Sequence, residues 1–205
     1  MNAVQLQKTL RASQYAEQVL ANHQSLLEQD YAIDQFQGSL SREYIDQLVQ
    51  DCILNITDEA AWMRAMRILR ARLMFRWIWQ DANQLTDVIT LTQELSDFAD
   101  ASICAAKDFA RIPLVAKYGQ PIGYNGKVQD LIVIAMGKLG AQELNLSSDI
   151  DLIFAFDEQG ETDGRKCIDV QQFCILWGQK LIHLLDQITA DGFVFRVDMR
   201  LRPWG

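Results

Sequence analysis

The chain has 205 residues, 49% of them apolar, and its 19 lysine plus arginine against 27 aspartate plus glutamate give a formal charge of -8 and an isoelectric point near 4.7. That length supports one large or two small domains with real cores, and the acidic balance argues against a broad nucleic-acid-binding surface. The central apolar run LIVIAM, 131–136, is far too short to cross a bilayer, and the N-terminus MNAVQLQKTLRASQ has no apolar signal core, so the expectation is a cytoplasmic protein with no membrane or nucleic-acid partner.

From residue 4 to about 117 the pattern is helical. It is clearest in TDEAAWMRAMRILRARLMFRWIWQ, where Thr57 can cap a helix and Asp58 and Glu59 fall in its first turn. Trp62, Met66, Leu69 and Leu73 recur at spacings of four, three and four, which makes one face core. Arg64, Arg67, Arg70, Arg72 and Arg76 read as a solvated face paired with acidic residues of neighbouring helices. A further helix is expected over TQELSDFADASICAAKDFA, with Pro113 opening a new helical turn that Gly119 closes.

The character changes at KYGQPIGYNGKVQD, where three glycines and a proline interrupt the apolar period. The domain boundary is placed here, separating a helical region, 1–117, from a second domain, 118–205. The second domain reads as a strand at 130–136, a glycine turn with a short helix through 145, and a strand at 149–156. A helix at 169–187, a turn at Asp191-Gly192 and a strand at 193–200 follow, giving an α+β chain with a small mixed sheet. Cys52, Cys104, Cys167 and Cys174 have no C-x-x-C spacing and read as reduced, mostly buried thiols. His23 and His183 are the only histidines, and both read as surface or helix-face residues, which sets aside histidine-dependent triads.

Strand, glycine and helix in IVIAMGKLGAQEL suggest a dinucleotide-binding turn, but Ala135 stands where its first glycine belongs. It is not a Walker A loop either, since Leu139 follows Lys138 where a serine or threonine is needed. SSDIDLIFAF carries more chemistry. Strand alternation points Asp149 and Asp151 to the same side, and two like charges in one small volume call for something positive, usually a hard divalent cation. The turn at Gly137 and Lys138 can hold a phosphate chain nearby. FVFRVDMRLRPWG adds a third acid, with Arg196, Asp198 and Arg200 alternating onto one face. Three aspartates suit two magnesium ions and in-line phosphoryl transfer, with arginines neutralising phosphate oxygens.

MGKLGAQELNLSSDIDLIF together with RVDMRLRPWG closely resembles the glutamine synthetase adenylyltransferase/adenylyl-removing enzyme family, within the DNA polymerase beta-like nucleotidyltransferase superfamily. The resemblance is firm over roughly 130–205. Family members carry two nucleotidyltransferase domains, and ELNLSSDID resembles the N-terminal, adenylyl-removing copy, here ending before that domain is complete. The resemblance implies a multifunctional enzyme of nitrogen metabolism, in which this copy uses orthophosphate to remove AMP from a tyrosine of glutamine synthetase, releasing ADP. Asp149, Asp151 and Asp198 match the metal-binding acids, for Mg2+ as two ions. Gly137, Lys138 and Ser148 match the nucleotide-phosphate turn and the serine before the acidic pair, and Arg200 and Arg202 match arginines assigned to phosphate or AMP contact. Ala135, Ala141 and Trp204 depart from the residues common in the family. Implied partners are glutamine synthetase, orthophosphate, AMP/ADP and, for the full-length enzyme, a nitrogen-signalling regulatory protein. The alternatives are ATP-dependent adenylylation of the same substrate, or an incomplete fragment that only binds a partner through its arginine-bearing helical half.

Overall fold

The computed structural model describes residues 2–32 and 36–199. It is an α+β structure that divides into two compact units. The first comprises the described residues up to Phe98 together with Gln142–Ser147, and the second comprises Ala99–Ala141 with the described residues from Ser148 onward. Arg200 and Arg202 lie outside the described residues.

In the first unit, α1 (Ala3–Ala12), α2 (Gln14–Ala32) and α3 (Arg42–Ile53) pack around α4 (Glu59–Ala82). Asp58, not Thr57, caps α4. Its extended backbone brings the carboxylate to the Ala61 N–H at 2.8 Å, which satisfies one of the orphan donors of the first turn. Trp62, Met66, Leu69 and Leu73 are buried as their spacing requires.

The arginine face departs from expectation. Only Arg64 is exposed, while Arg70 and Arg72 are half-buried and Arg67 and Arg76 fully buried. A helix packed by three others has no wholly solvated face, so its long polar side chains must find partners inside. Glu94, in α5 (Val88–Tyr118), accepts from Arg76 Nη1 and Trp77 Nε1, both at 2.7 Å, and from the Leu40 N–H at 2.8 Å. Arg76 Nη2 and Gln80 Nε2 both donate to the Gly38 carbonyl. Arg72 grips Asp30 through Nε at 2.8 Å and through Nη2, and the carboxylate raises its pKa. Gln142–Ser147 is part of this unit. The Leu144 N–H donates to Ser96 Oγ, and Leu146 packs against the cluster of Phe36, Phe75 and Trp79.

Helix α5 runs unbroken past Pro113 to Tyr118, and Gly119, at φ +83°, ends it by donating to the Val115 carbonyl. In the second unit β1 (Pro121–Gly123) pairs antiparallel with β4 (Gly160–Thr162). A second sheet has the order β2 (Ile132–Met136), β3 (Ile150–Ala155), β5 (Val197–Asp198), with β2 antiparallel and β5 parallel to β3. Between β2 and β3 the helix α6 spans only Gly137–Gly140 and stops well short of residue 145, because Gln142 adopts φ +58°. Strand β5 is also shorter than expected. The Val194 and Phe195 N–H groups donate to the Leu185 carbonyl at the end of α7 (Val170–Asp186), so that stretch is bound to a helix end instead of a ladder.

Helix α7 lies over the face of β3 that carries Ile150, Leu152 and Phe154. Gly178 makes this approach possible, since a Cβ there would stand 2.5 Å from the Phe154 ring. Trp177 is fully buried and donates to the Lys107 carbonyl at 2.7 Å. Among the described residues no helix is long and apolar enough to cross a membrane.

Glu94→Ala should cost about 3–5 kcal/mol in urea unfolding, because it strands the guanidinium of a buried ion pair in which the Arg76 and Glu94 side chains are 4% and 3% exposed. Adding Arg76→Met to that variant should recover part of the loss. The cysteines form two classes: Cys104 and Cys167 are exposed, contrary to the expectation of mostly buried thiols, while Cys174 is buried and Cys52 partly so. Burial pushes both Cys52 and Cys174 up to about 11. At neutral pH a disulfide reagent should therefore titrate Cys104 and Cys167 first. A raised folded-state value favours the protonated thiol in the fold, so this contribution to stability is complete below the ordinary 9.0 and is lost as pH rises towards about 11.

Candidate functional site

Those sequence-predicted residues that lie within the described part of the chain gather around strand β3, on the sheet face opposite α7. Alternation in β3 sends Ile150 and Leu152 into the core and leaves Asp149 exposed and Asp151 half-buried on the other side. Asp151 stands at the centre of the sheet, opposite Met136 of β2 and abreast of Asp198 of β5. Partners in register share a face, with neighbouring strands about 4.8 Å apart, so the Asp151 and Asp198 side chains emerge side by side.

Gly137 closes the third side. It turns the chain out of β2 at φ +56°, and a Cβ there would lie only 2.5 Å from Asp151 Oδ2. Glycine is required both by the left-handed backbone and by the carboxylate beside it. One residue on, Lys138 Nζ donates to Ser148 Oγ at 3.3 Å, so the lysine of the turn and the serine before the acidic pair are neighbours at the surface.

The positive partner demanded by the acidic pair is Arg196. Its Nε–H donates to Asp149 Oδ1 at 2.6 Å, with both side chains about half exposed. The Ile150 N–H also donates to the Arg196 carbonyl at 2.9 Å, so main chain and side chain of one residue engage consecutive residues of β3. The alternation of FVFRVDMR puts Arg196 on the Asp198 face, among the arginines expected to neutralise phosphate oxygens, and gives no sign of its pairing with Asp149. Its opposition to Asp149 depends on the parallel register, which no local pattern carries.

Among the described residues no three His, Cys, Asp or Glu side chains are gathered into a ready metal cage. The donor set nevertheless suits a hard divalent cation: Asp151 and Asp198 offer carboxylate oxygens side by side, and the missing Cβ of Gly137 lets the Asp151 carboxylate lie against the turn. Asp149 is held by Arg196. The cluster of Gly137, Lys138, Ser148, Asp149, Asp151 and Asp198 therefore has the chemistry to receive a cation and a phosphate.

A model of the family described as glutamate-ammonia ligase adenylyltransferase matches residues 3–205. The chain belongs to this family. It is 78% identical, over its full length, to the bifunctional glutamine synthetase adenylyltransferase/adenylyl-removing enzyme of Acinetobacter baylyi, of which it covers 22%. The proteins of the same name from Thioalkalivibrio sulfidiphilus and Shewanella oneidensis are 51% and 44% identical over 72% and 81% of the chain, covering 15% and 18% of their own lengths. The chain thus spans about a fifth of the curated relatives it matches. The match runs through both helices and site, so this family couples the α4-centred unit to the β3 cluster in one sequence.

Gly137→Ala should separate backbone strain from crowding at the cluster. Strain alone is worth about 1–2 kcal/mol, the loss expected for Gly126→Ala, which has φ +77° but nothing within 4 Å of its would-be Cβ. Gly137→Ala should lose more in urea unfolding, because the new methyl also meets Asp151; equal losses would mean the carboxylate moves aside without cost.

Proposed function

We propose that this chain carries the phosphorolytic, adenylyl-removing activity: orthophosphate cleaves AMP from a tyrosine of glutamine synthetase, releasing ADP and restoring the synthetase in the control of nitrogen assimilation. The observation that carries the reading is the register of β3 and β5, with Asp151 abreast of Asp198 beside the Gly137 turn. Family membership and the ELNLSSDID sequence support it. In this proposal residues 118–205 form a nucleotidyltransferase domain related to DNA polymerase beta and acting in the cytoplasm. Glutamine synthetase is the partner, and a nitrogen-signalling protein regulates the longer enzyme.

The reaction transfers an adenylyl group. A phosphate oxygen forms a bond to the phosphorus of AMP, the bond from that phosphorus to the tyrosine oxygen breaks, and the phenolate takes up a proton. Orthophosphate is already ionised near neutral pH, so the site needs alignment and charge neutralisation more than a histidine base. Asp149, Asp151 and Asp198 would hold Mg2+, as two ions. When bound, Mg2+ supplies charge neutralisation of the phosphoryl oxygens and of the leaving phenolate. Lys138 and Ser148 bind phosphate oxygens at the turn, where the absent Cβ of Gly137 lets the substrate approach the backbone. Arg200 and Arg202 are assigned to phosphate or AMP contact.

The test is incubation with adenylylated glutamine synthetase, magnesium and orthophosphate, with ADP resolved from AMP and ATP. Phosphate-dependent ADP release should fall by on the order of 100-fold or more in Asp149→Asn and in Asp151→Asn. Consumption of ATP with pyrophosphate release would assign the transferase direction instead. Absence of either product from the folded chain would overturn the activity proposed for it.

A further inference from the structure

Resting on that reading, we propose that Arg196 couples metal loading to phosphate binding: it occupies Asp149 in the metal-free protein and is released to a phosphate when a cation takes that carboxylate.

The case starts from charge. Asp149, Asp151 and Asp198 place three carboxylates on one sheet face, and Arg196 is seated beside them by the ladder that begins at the next residue, with Ile150 opposite Val197 and Asp151 opposite Asp198, and by the Ile150 N–H on its own carbonyl. Its backbone is therefore fixed by the ladder, while its side chain, 58% exposed, can change partners. The Nε–H to Asp149 Oδ1 contact of 2.6 Å is short and charge-assisted. Half exposure keeps its net worth small enough for a divalent cation to displace it.

Cation and guanidinium compete for the same carboxylate. A lone cation must displace Arg196 and leave it near a second positive charge, which lowers affinity. A phosphate in the site changes that balance, since its oxygens accept from the planar fork of a guanidinium at least as well as a carboxylate does. Cation and phosphate then favour each other's binding, and by linkage the coupling is equal in both directions. The consequence for the site is selective loading: metal enters with its phosphate and is held weakly without it.

The experiment measures Mn2+ binding to the 205-residue chain by the loss of the free-ion electron paramagnetic resonance signal. It compares wild type, Arg196→Gln and Arg196→Lys, each with and without AMP, with folding checked by circular dichroism. Without AMP, Arg196→Gln should bind Mn2+ about 2- to 5-fold more tightly than wild type, the range set by a half-exposed ion pair. AMP should tighten Mn2+ binding by wild type more than by Arg196→Gln, once the Mn2+ that AMP itself complexes is subtracted with a protein-free control. Arg196→Lys, which keeps the charge but not the fork, should stay near wild type without AMP and gain less from it. Equal or weaker Mn2+ binding by Arg196→Gln, or undiminished coupling to AMP in that variant, would overturn the inference while leaving the metal site standing. Failure of all three folded proteins to bind Mn2+ would overturn the metal-dependent function and this inference with it.

Discussion

The hydrogen bond from the Ile150 N–H to the Arg196 carbonyl sets the register in which β3 meets β5, and the site is a consequence of that register. A slip of one residue would turn Asp198 to the opposite face and bring Val197 out in its place. With the register as it stands, Asp151 and Asp198 emerge together, Arg196 falls opposite Asp149, and Ile150 and Leu152 enter the core. One strand therefore separates the two environments, apolar beneath and charged above. The Phe154 contact at Gly178 keeps α7 close against the lower face.

The same logic of a charge needing a partner runs through the helical unit, with a different outcome. There Glu94 is buried and shared by Arg76, Trp77 and Leu40, so its lone pairs are spent inside the protein. Burial pulls Arg76 below its ordinary value, and Glu94 opposes that pull. Such a network is costly to break and leaves little capacity for ligand chemistry. At Asp149 and Arg196 the charges are half in water, so partner exchange is cheap. Exposure, more than residue type, divides the structural ion pair from the one suited to function.

Long periodic segments were legible in the chain. The core stripe of α4 could be read because side chains four, three and four apart must share a helix face, and the two aspartates of β3 could be paired because a strand alternates strictly. The helix over 169–187 was placed to within a residue at each end, with Asp169 capping it through the Gln172 N–H. Signals that depend on a single residue's environment were read less well. Asp58 and Thr57 are both capable caps, and only the backbone path into α4 distinguishes them. The arginines of α4 looked solvated because charge usually marks a surface, whereas surrounding helices bury two of them. Strands β1 and β4, three residues each, are too short to carry a period at all.

Sequence by itself determined the α+β class, the family, and the residue types at the cluster, because periodicity and long motifs are properties of neighbours along the chain. Tertiary structure alone decided the partners: which arginine meets Asp149, the register that sets Asp198 abreast of Asp151, and why position 137 has no room for a side chain. The physical reason is sequence separation. Arg196 and Asp149 lie 47 positions apart, and no local rule relates them until parallel pairing of β3 with β5 brings their backbones into one ladder.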